Sequence, residues 1–272
     1  LVSIYWQGDG DMATIEQFND AVVASDWWKT VGDGYGVGPA SHVATYVIPA
    51  AAPTTVTDGS ARQTIADLIG AGSVPPPDGD SLYALFLPPG TALALAGYQG
   101  CVDVGGYHSE SFVTSDGGKT KVAYAVLPRC GGFGGGFGLG ALTVAASHEF
   151  IEAATDPFPY TSPGYFFDQG DAWSANLGEV ADLCNGGTVT LGEFVVTRSW
   201  SIAAAAKGED PCQPPHLAYF GAALDPDTQT AQTGGTVDFT VRAFSTIPLS
   251  SPMHVQASTG FAGTAGLGFS ID

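Results

Sequence analysis

Residues 147–157 place charged side chains inside an otherwise apolar helix, and this segment constrains the fold more than any other. At about 100° per residue, His148 and Glu152 project from one side of that helix, one turn apart, with Glu149 about 60° to the side of Glu152. Ionised groups are costly to bury unless they are paired or bound to a metal. The fold must therefore supply these side chains with a partner, and a divalent cation is the first candidate.

A second acidic segment completes a known pattern of metal ligands. The order His-Glu-x-x-Glu resembles the HExxH helix of zinc proteases, with glutamate in place of the second histidine. In gluzincin proteases a later glutamate supplies the third ligand and a nearby aspartate orients the first histidine, and Glu179 and Asp182 fit this order. The resemblance implies that His148, Glu152 and Glu179 bind zinc. Glu149 would then be the general base that takes a proton from the metal-bound water.

Other interpretations of these residues stay open. Helices containing His-Glu-x-x-Glu also arise by chance, and His148 by itself fits a buried, hydrogen-bonded core histidine. Glu179 and Asp182 fit the first turn of a solvated helix equally well. Because oxygen-rich ligation favours harder ions, a structural calcium site is a further alternative. His108 and Tyr165 are candidate donors of a hydrogen bond to an oxyanion.

The first part of the chain alternates apolar strands with amphipathic helices. The spacing predicts strands and helices over these ranges: strands 1–6, 42–48 and 82–87, and helices 11–29 and 60–69. Thr14 and Ser60 are candidate capping residues. The alternation predicts a layered α/β sheet, with an antiparallel hairpin around residues 115–119 at its edge. We expect a zincin-like α/β domain with a mixed sheet and an active-site helix.

The pattern changes near residue 213. Residues 213–216 resemble a linker, and the alternation is purely β from residue 217 onward. We therefore expect a metallopeptidase-like α/β domain at residues 1–214 and a β-rich segment at residues 215–272. This segment resembles the opening strands of a β-sandwich that is incomplete on its own. Either it packs on the main domain or the native chain continues.

Charge and hydropathy exclude several classes of partner. The chain carries 8 Lys and Arg residues against 27 Asp and Glu residues, for a net charge of −19. Since nucleic-acid affinity rests mainly on clustered Lys and Arg, we expect no nucleic-acid partner. No run of about 18 apolar residues predicts a membrane span. The first residues resemble a strand and not a signal peptide, so we expect a processed or trimmed chain. We expect a monomer whose partner is a peptide or protein substrate.

Four cysteines allow three pairings. Sequential pairing, Cys101 with Cys130 and Cys184 with Cys212, closes two loops of similar size and is the pairing that we expect. No two cysteines form a Cys-x-x-Cys pair, which disfavours a thiolate zinc site. Disulfides predict an oxidising, extracellular compartment. The alternative is four buried free thiols in a cytosolic protein.

Several segments together resemble the exordium-like (phosphate-induced) secreted proteins of plants and their bacterial relatives. These segments are residues 27–30 (WWKT), the helix at 147–157, residues 179–184 (EVADLC), residues 198–201 (RSWS) and residues 210–212 (DPC). The resemblance covers about residues 1–212 and implies an extracellular, disulfide-bonded protein, tied in plants to growth responses. Plant relatives tend to have Asn at the position of Asp156, which argues against Asp156 as an obligatory ligand.

Two hypotheses from different classes follow. The first is a secreted zinc-dependent peptidase with Glu149 as its base. The second is a non-enzymatic extracellular or cell-wall binding protein, whose acids hold a structural calcium ion or cap helices.

Overall fold

The computed structural model of the 272-residue chain describes residues 1–115, 118–164, 178–184, 186–215, 220–226, 229–245, 247–248, 250–252 and 254. Within these residues the protein is a mixed α/β structure with five α-helices and a five-stranded mixed sheet. It divides into two compact units, Leu1–His216 and Leu217–Asp272. Every candidate site residue belongs to the first unit.

In chain order the strands are β1 (Val2–Trp6), β2 (Ala44–Ile48), β3 (Thr55–Thr57), β4 (Leu82–Phe86), β5 (Ala92–Leu95), β6 (Tyr98–Gln99), β7 (Tyr107–Ser115), β8 (Gly118–Leu127), β9 (Gly132–Phe133), β10 (Gly136–Phe137), β11 (Thr188–Leu191), β12 (Phe194–Thr197), β13 (Ser199–Trp200), β14 (Cys212–Gln213), β15 (Phe220–Asp225) and β16 (Thr240–Ser245). The helices are α1 (Met12–Val23), α2 (Asp26–Gly32), α3 (Asp58–Gly70), α4 (Leu139–Thr155) and α5 (Ile202–Ala206).

The main sheet has the strand order β2-β1-β4-β8-β7. Its first four strands are parallel, and only the edge strand β7 runs antiparallel, paired with β8 from Tyr107↔Val126 to Ser115↔Gly118. The inner strands β1 and β4 are buried almost throughout and, apart from Ser3, consist of apolar and aromatic residues, because helices cover both faces of this part of the sheet. The mixed α/β class expected from the alternating elements is therefore confirmed.

Two apolar clusters cover the two faces of the sheet. Ile4 and Tyr5 are neighbours on β1, point to opposite faces, and belong to different clusters. The Tyr5 cluster contains Phe18 from α1 and Phe150 from α4, whereas the Ile4 cluster contains Ile65 from α3. Helix α4 therefore packs on the same face of the sheet as α1 and α2, with α3 on the other face.

The helix boundaries differ from the predicted ones at the caps. The predicted helix over 11–29 is two helices, because Ser25 leaves helical geometry and its side chain accepts a hydrogen bond from the first turn of α2. Helix α3 begins at Asp58, two residues earlier than predicted, because Thr57 is its N-cap and Ser60 completes a capping box. Helix α1 has no side-chain cap, so Thr14 does not serve as one.

Both disulfides follow the expected sequential pairing, Cys101–Cys130 and Cys184–Cys212. The second ties the segment after residue 178 to β14, at the end of the first unit. Within the part of the chain that the structure describes, no helix is both long enough and apolar enough to cross a membrane.

The second unit contains an antiparallel pair, β15 and β16, in the register Phe220↔Ser245 to Asp225↔Thr240. An ion pair between Arg242 and Asp225 joins the two strands. The sandwich expected for residues 215–272 stays a prediction.

Candidate metal centre

Helix α4 carries three of the candidate residues and is held firmly in place. It begins after Gly138, whose φ of 55° is in the region that favours glycine. Thr143 donates from Oγ1 to the Val195 carbonyl at 2.6 Å, and Ser147 Oγ accepts from the Thr197 N–H at 2.9 Å. These bonds fix α4 against β12 and so determine the direction in which its charged side chains point.

The first group of ligand-type atoms surrounds His148. Its Nε2 lies 3.1 Å from Glu152 Oε1 and 3.3 Å from Asp182 Oδ1. The backbone N–H groups of Ala181 and Asp182 donate to the same Glu152 oxygen at 3.1 and 3.2 Å. Glu152 is only 1% exposed, so these bonds hold a buried carboxylate in one orientation.

The second group surrounds His108, which the antiparallel strand β7 brings over α4. Its Nδ1 lies 3.4 Å from Glu149 Oε2 and 3.8 Å from Glu152 Oε2, and its Nε2 lies 3.3 Å from Glu179 Oε1. The imidazole is only 3% exposed, so the partial exposure of the residue comes from its backbone at the sheet edge. Among the described residues, Nε2 has no partner in hydrogen-bonding geometry.

These two groups form one acid–histidine cluster. Its members are four carboxylic acids and two histidines, from one strand, one helix and one loop: His108, His148, Glu149, Glu152, Glu179 and Asp182. Two sets of three have ligand atoms within 4.8 Å of one another, His108–Glu149–Glu152 and His148–Glu152–Asp182. Ligand atoms about 2.0 Å from a tetrahedral zinc ion lie about 3.3 Å apart. The cluster therefore has the donor types and the spacing to hold a divalent cation.

Burial and mutual repulsion change the proton affinities of the cluster. Burial, with repulsion from Glu152, raises the pKa of Glu179 to about 8. Burial also raises the pKa of Glu152. Burial lowers the pKa of His108, but the surrounding carboxylates outweigh it and raise this pKa to about 9. The metal-free cluster therefore retains protons, and a bound cation would replace them.

The structure distributes the predicted residues between the two groups. His148 and Glu152 lie together, and Glu149 faces His108. The carboxylate beside His148 is that of Asp182, whereas Glu179, which was predicted to be the third ligand, contacts His108 and belongs to neither set of three. Tyr165 lies outside the described residues. His108 was considered only as an oxyanion donor, since a lone histidine in a strand carries no ligand spacing.

His42, which lies outside the cluster, has a hydrogen-bond partner at each of its ring nitrogens. His42 Nδ1 lies 2.8 Å from Asp20 Oδ1, and its Nε2 lies 2.9 Å from Ser3 Oγ. This is the order of a Ser-His-Asp hydrolase, but Ser3 is fully buried on β1 and also accepts a hydrogen bond from Asn19. A nucleophile that substrate cannot reach is not catalytic, so the array stabilises the fold.

Comparison of the chain with protein-family models, curated proteins and solved structures found no match. The resemblance to exordium-like proteins stays a prediction, and the functional interpretation rests on the residues and their geometry.

Proposed function

We propose that this protein is a secreted metallopeptidase of zincin-like design, with a divalent cation, zinc in the first instance, bound by His148, Glu152 and Asp182. The observation that carries the proposal is the acid–histidine cluster. Among the described residues, no Lys or Arg forms an ion pair with its four carboxylates. In the metal-free protein the two histidines face these carboxylates, and a cation bound in place of the retained protons would neutralise them.

In this proposal Asp182 is the third ligand, the role that the sequence predicted for Glu179. Asp182 Oδ1 lies 3.3 Å from His148 Nε2, and the two belong to the same set of three donors. The N–H groups of Ala181 and Asp182 hold Glu152, and such orientation of a ligand by backbone groups strengthens metal binding.

The position of the cluster in the fold supports the zincin-like design. Helix α4 packs on the sheet face, and its charged side chains meet the sheet at the antiparallel edge strand β7. The outer backbone groups of an edge strand are able to pair with an extended chain. A peptide lying along β7 would bring a scissile bond to the cluster. The two disulfides are typical of extracellular proteins and support secretion.

Glu149 is the residue to which we assign the proton transfers of catalysis. A bound divalent cation lowers the pKa of water and polarises a carbonyl group. Glu149 is 7% exposed, lies beside Glu152 on the same helix, and is free of any Lys or Arg ion pair among the described residues. We assign it as the general base that accepts the proton of the attacking water and then donates it to the leaving amine. His108 Nδ1 lies 3.4 Å from Glu149 Oε2.

The substitution Glu149→Gln tests this assignment. We expect peptide hydrolysis to fall by about 10²- to 10⁴-fold, because an amide does not accept the proton. The variant should retain the cation bound at His148, measured by inductively coupled plasma mass spectrometry. Glu16→Gln is the matched control: Glu16 accepts a hydrogen bond from Tyr5 at 2.6 Å, outside the cluster, so hydrolysis should be unchanged.

Two results would contradict the proposal. Wild-type rates of cleavage in Glu149→Gln would remove Glu149 from its role. Calcium-dependent melting together with no turnover of a peptide library by the wild-type protein would favour the binding-protein hypothesis.

A further inference from the structure

We propose that the acid–histidine cluster binds two divalent cations, the second held by His108, Glu149 and Glu152, with the Glu152 carboxylate bridging the pair. The inference rests on the proposed function, because the first cation is the one at His148. It adds a second metal site and places the protein among hydrolases that use two adjacent cations.

Glu152 is placed to bridge. Its Oε1 faces His148 at 3.1 Å, and its Oε2 faces His108 at 3.8 Å. Each carboxylate oxygen therefore faces a different histidine, and Glu152 is the residue that the two sets of three donors share. Two-cation hydrolases hold their ions about 3.5–4 Å apart, which is a span that one bridging carboxylate reaches.

The contacts of His108 with its acids are longer than charge-assisted hydrogen bonds, including the 3.4 Å hydrogen bond between Nδ1 and Glu149 Oε2. Charge-assisted hydrogen bonds between nitrogen and carboxylate measure about 2.7–2.9 Å. His42 meets this standard through Nδ1, 2.8 Å from Asp20 Oδ1, and its Nε2 lies 2.9 Å from the Ser3 hydroxyl. The contacts of His108 are 3.3, 3.4 and 3.8 Å, although its imidazole is only 3% exposed, and its Nε2 has no hydrogen bond among the described residues. Within the proposed site, the 3.4 Å between Nδ1 and Glu149 Oε2 is close to the spacing of about 3.3 Å between donors around one ion.

The charge of the cluster is compatible with two cations. With both bound, four ionised carboxylates (−4) and two neutral imidazoles would be neutralised, in a region where Glu152 is 1% and Glu149 is 7% exposed. Without metal, retained protons balance part of this charge, and the cations would replace them. Among the described residues no Lys or Arg side chain pairs with these acids to offset the remainder.

Glu179 gains a role from the second site. With Nδ1 of His108 directed at the cation, the N–H on Nε2 faces Glu179 Oε1 at 3.3 Å. A carboxylate on the far nitrogen of a ligand histidine fixes its tautomer and its orientation. Each site then combines one imidazole with carboxylate oxygens, a donor set that suits Zn²⁺ or Mn²⁺. Glu149 would bind through Oε2 and retain Oε1 for proton transfer.

Metal stoichiometry tests the inference without reference to activity. Wild-type protein stripped with a chelator, reloaded with Zn²⁺ and freed of excess ion should hold about two ions per chain. His108→Gln should hold about one, because it loses the second site and keeps the first. His42→Gln, which alters a buried histidine between acids elsewhere, is the matched control and should still hold about two. Circular dichroism establishes that each variant is folded.

Paramagnetic resonance of the Mn²⁺-loaded wild-type protein gives a second readout that needs no variant. Two ions bridged by one carboxylate should give an exchange-coupled spectrum, and His108→Gln should give the spectrum of an isolated ion. One ion in the wild type, two ions retained in His108→Gln, or two uncoupled ions would each overturn the inference. If the wild type holds one ion and His148→Ala holds none, the second site is excluded and the proposed function still stands. A wild-type protein that binds no ion would overturn both.

Discussion

At the scale of single residues, Glu152 is the side chain that contacts both histidines of the cluster and two backbone N–H groups. It is 1% exposed, faces a histidine through each oxygen, and accepts hydrogen bonds from two backbone N–H groups. The same oxygen that faces His148 thus connects α4 to the segment that carries Asp182. The proposed metal ligation and the local hydrogen bonds both involve this one carboxylate, and two substitutions distinguish the two roles.

Glu152→Gln and Glu152→Ala should have different effects on the metal-free protein. The amide oxygen of glutamine still accepts from the N–H groups of Ala181 and Asp182, whereas alanine leaves two buried donors unpaired. We therefore expect Glu152→Ala to be less stable than Glu152→Gln by about 1–3 kcal/mol. Urea denaturation in chelator measures this difference, and equal midpoints would contradict it. Both variants should lose metal, since neither provides a carboxylate.

At the scale of elements, the site depends on how three segments meet. Strand β7 brings His108, helix α4 brings His148, Glu149 and Glu152, and the segment before Cys184 brings Glu179 and Asp182. Strand β7 is held by its ladder with β8, and α4 by its bonds to β12. The segment with Asp182 has a single turn of 3₁₀ helix, Asp182–Cys184, and is held by a hydrogen bond from the Trp200 N–H to the Val180 carbonyl at 2.7 Å, by its bonds to Glu152 and by the disulfide.

Removing each disulfide should show which of them positions the site. The bonds Cys184–Cys212 and Cys101–Cys130 span 28 and 29 residues, so replacing either pair with serine should cost a similar free energy, about 3–4 kcal/mol. The Cys184/Cys212 variant should also bind Zn²⁺ more weakly, by at least about 10-fold, because Asp182 and the N–H groups that orient Glu152 are released. Competition with a chromogenic chelator measures the affinity. An equal loss of affinity in the Cys101/Cys130 variant would contradict this positional role.

At the scale of the whole molecule, folding buries several tyrosine side chains and changes the pKa of their hydroxyl groups. Burial raises the pKa of Tyr35 and of Tyr83 to about 12. Burial also raises the pKa of Tyr5, Tyr107 and Tyr124 above the ordinary value of 10. The folded protein therefore keeps protons that the unfolded chain releases above about pH 10.

The free energy of unfolding should consequently be unaffected by these groups below pH 10 and should fall as the pH rises from about 10 to 12. Urea denaturation across this range measures the loss, and phenolate absorbance should show ionisation that accompanies unfolding. Tyr83→Phe should weaken the pH dependence, although it leaves the Pro75 carbonyl without the hydrogen bond that Tyr83 donates at 2.7 Å. A stability independent of pH in this range would contradict the assignment.

Much of the local structure was predictable from the sequence. The apolar runs of β1 and β4 and the one-turn spacing of His148 and Glu152 follow from periodicity. The disulfide pairing followed from matched loop lengths. The break at Ser25 that begins α2 was not predicted, and the cap of α3 was predicted at Ser60 and lies at Thr57, because these side chains offer competing local hydrogen bonds.

The arrangement of the cluster was decided by tertiary structure alone. His108 is 41 residues from Glu149, and it reaches the site because the register of β7 on β8 and the packing of α4 on the sheet bring both side chains to one place. The contacts of Glu179 and Asp182 depend on the turn of the chain between them, and a 3₁₀ helix that begins at Asp182 sends the two carboxylates to different histidines. Periodicity describes neighbours along one element. Contacts between elements depend on how their side chains pack, and the order of residues along the chain does not contain that information in a local form.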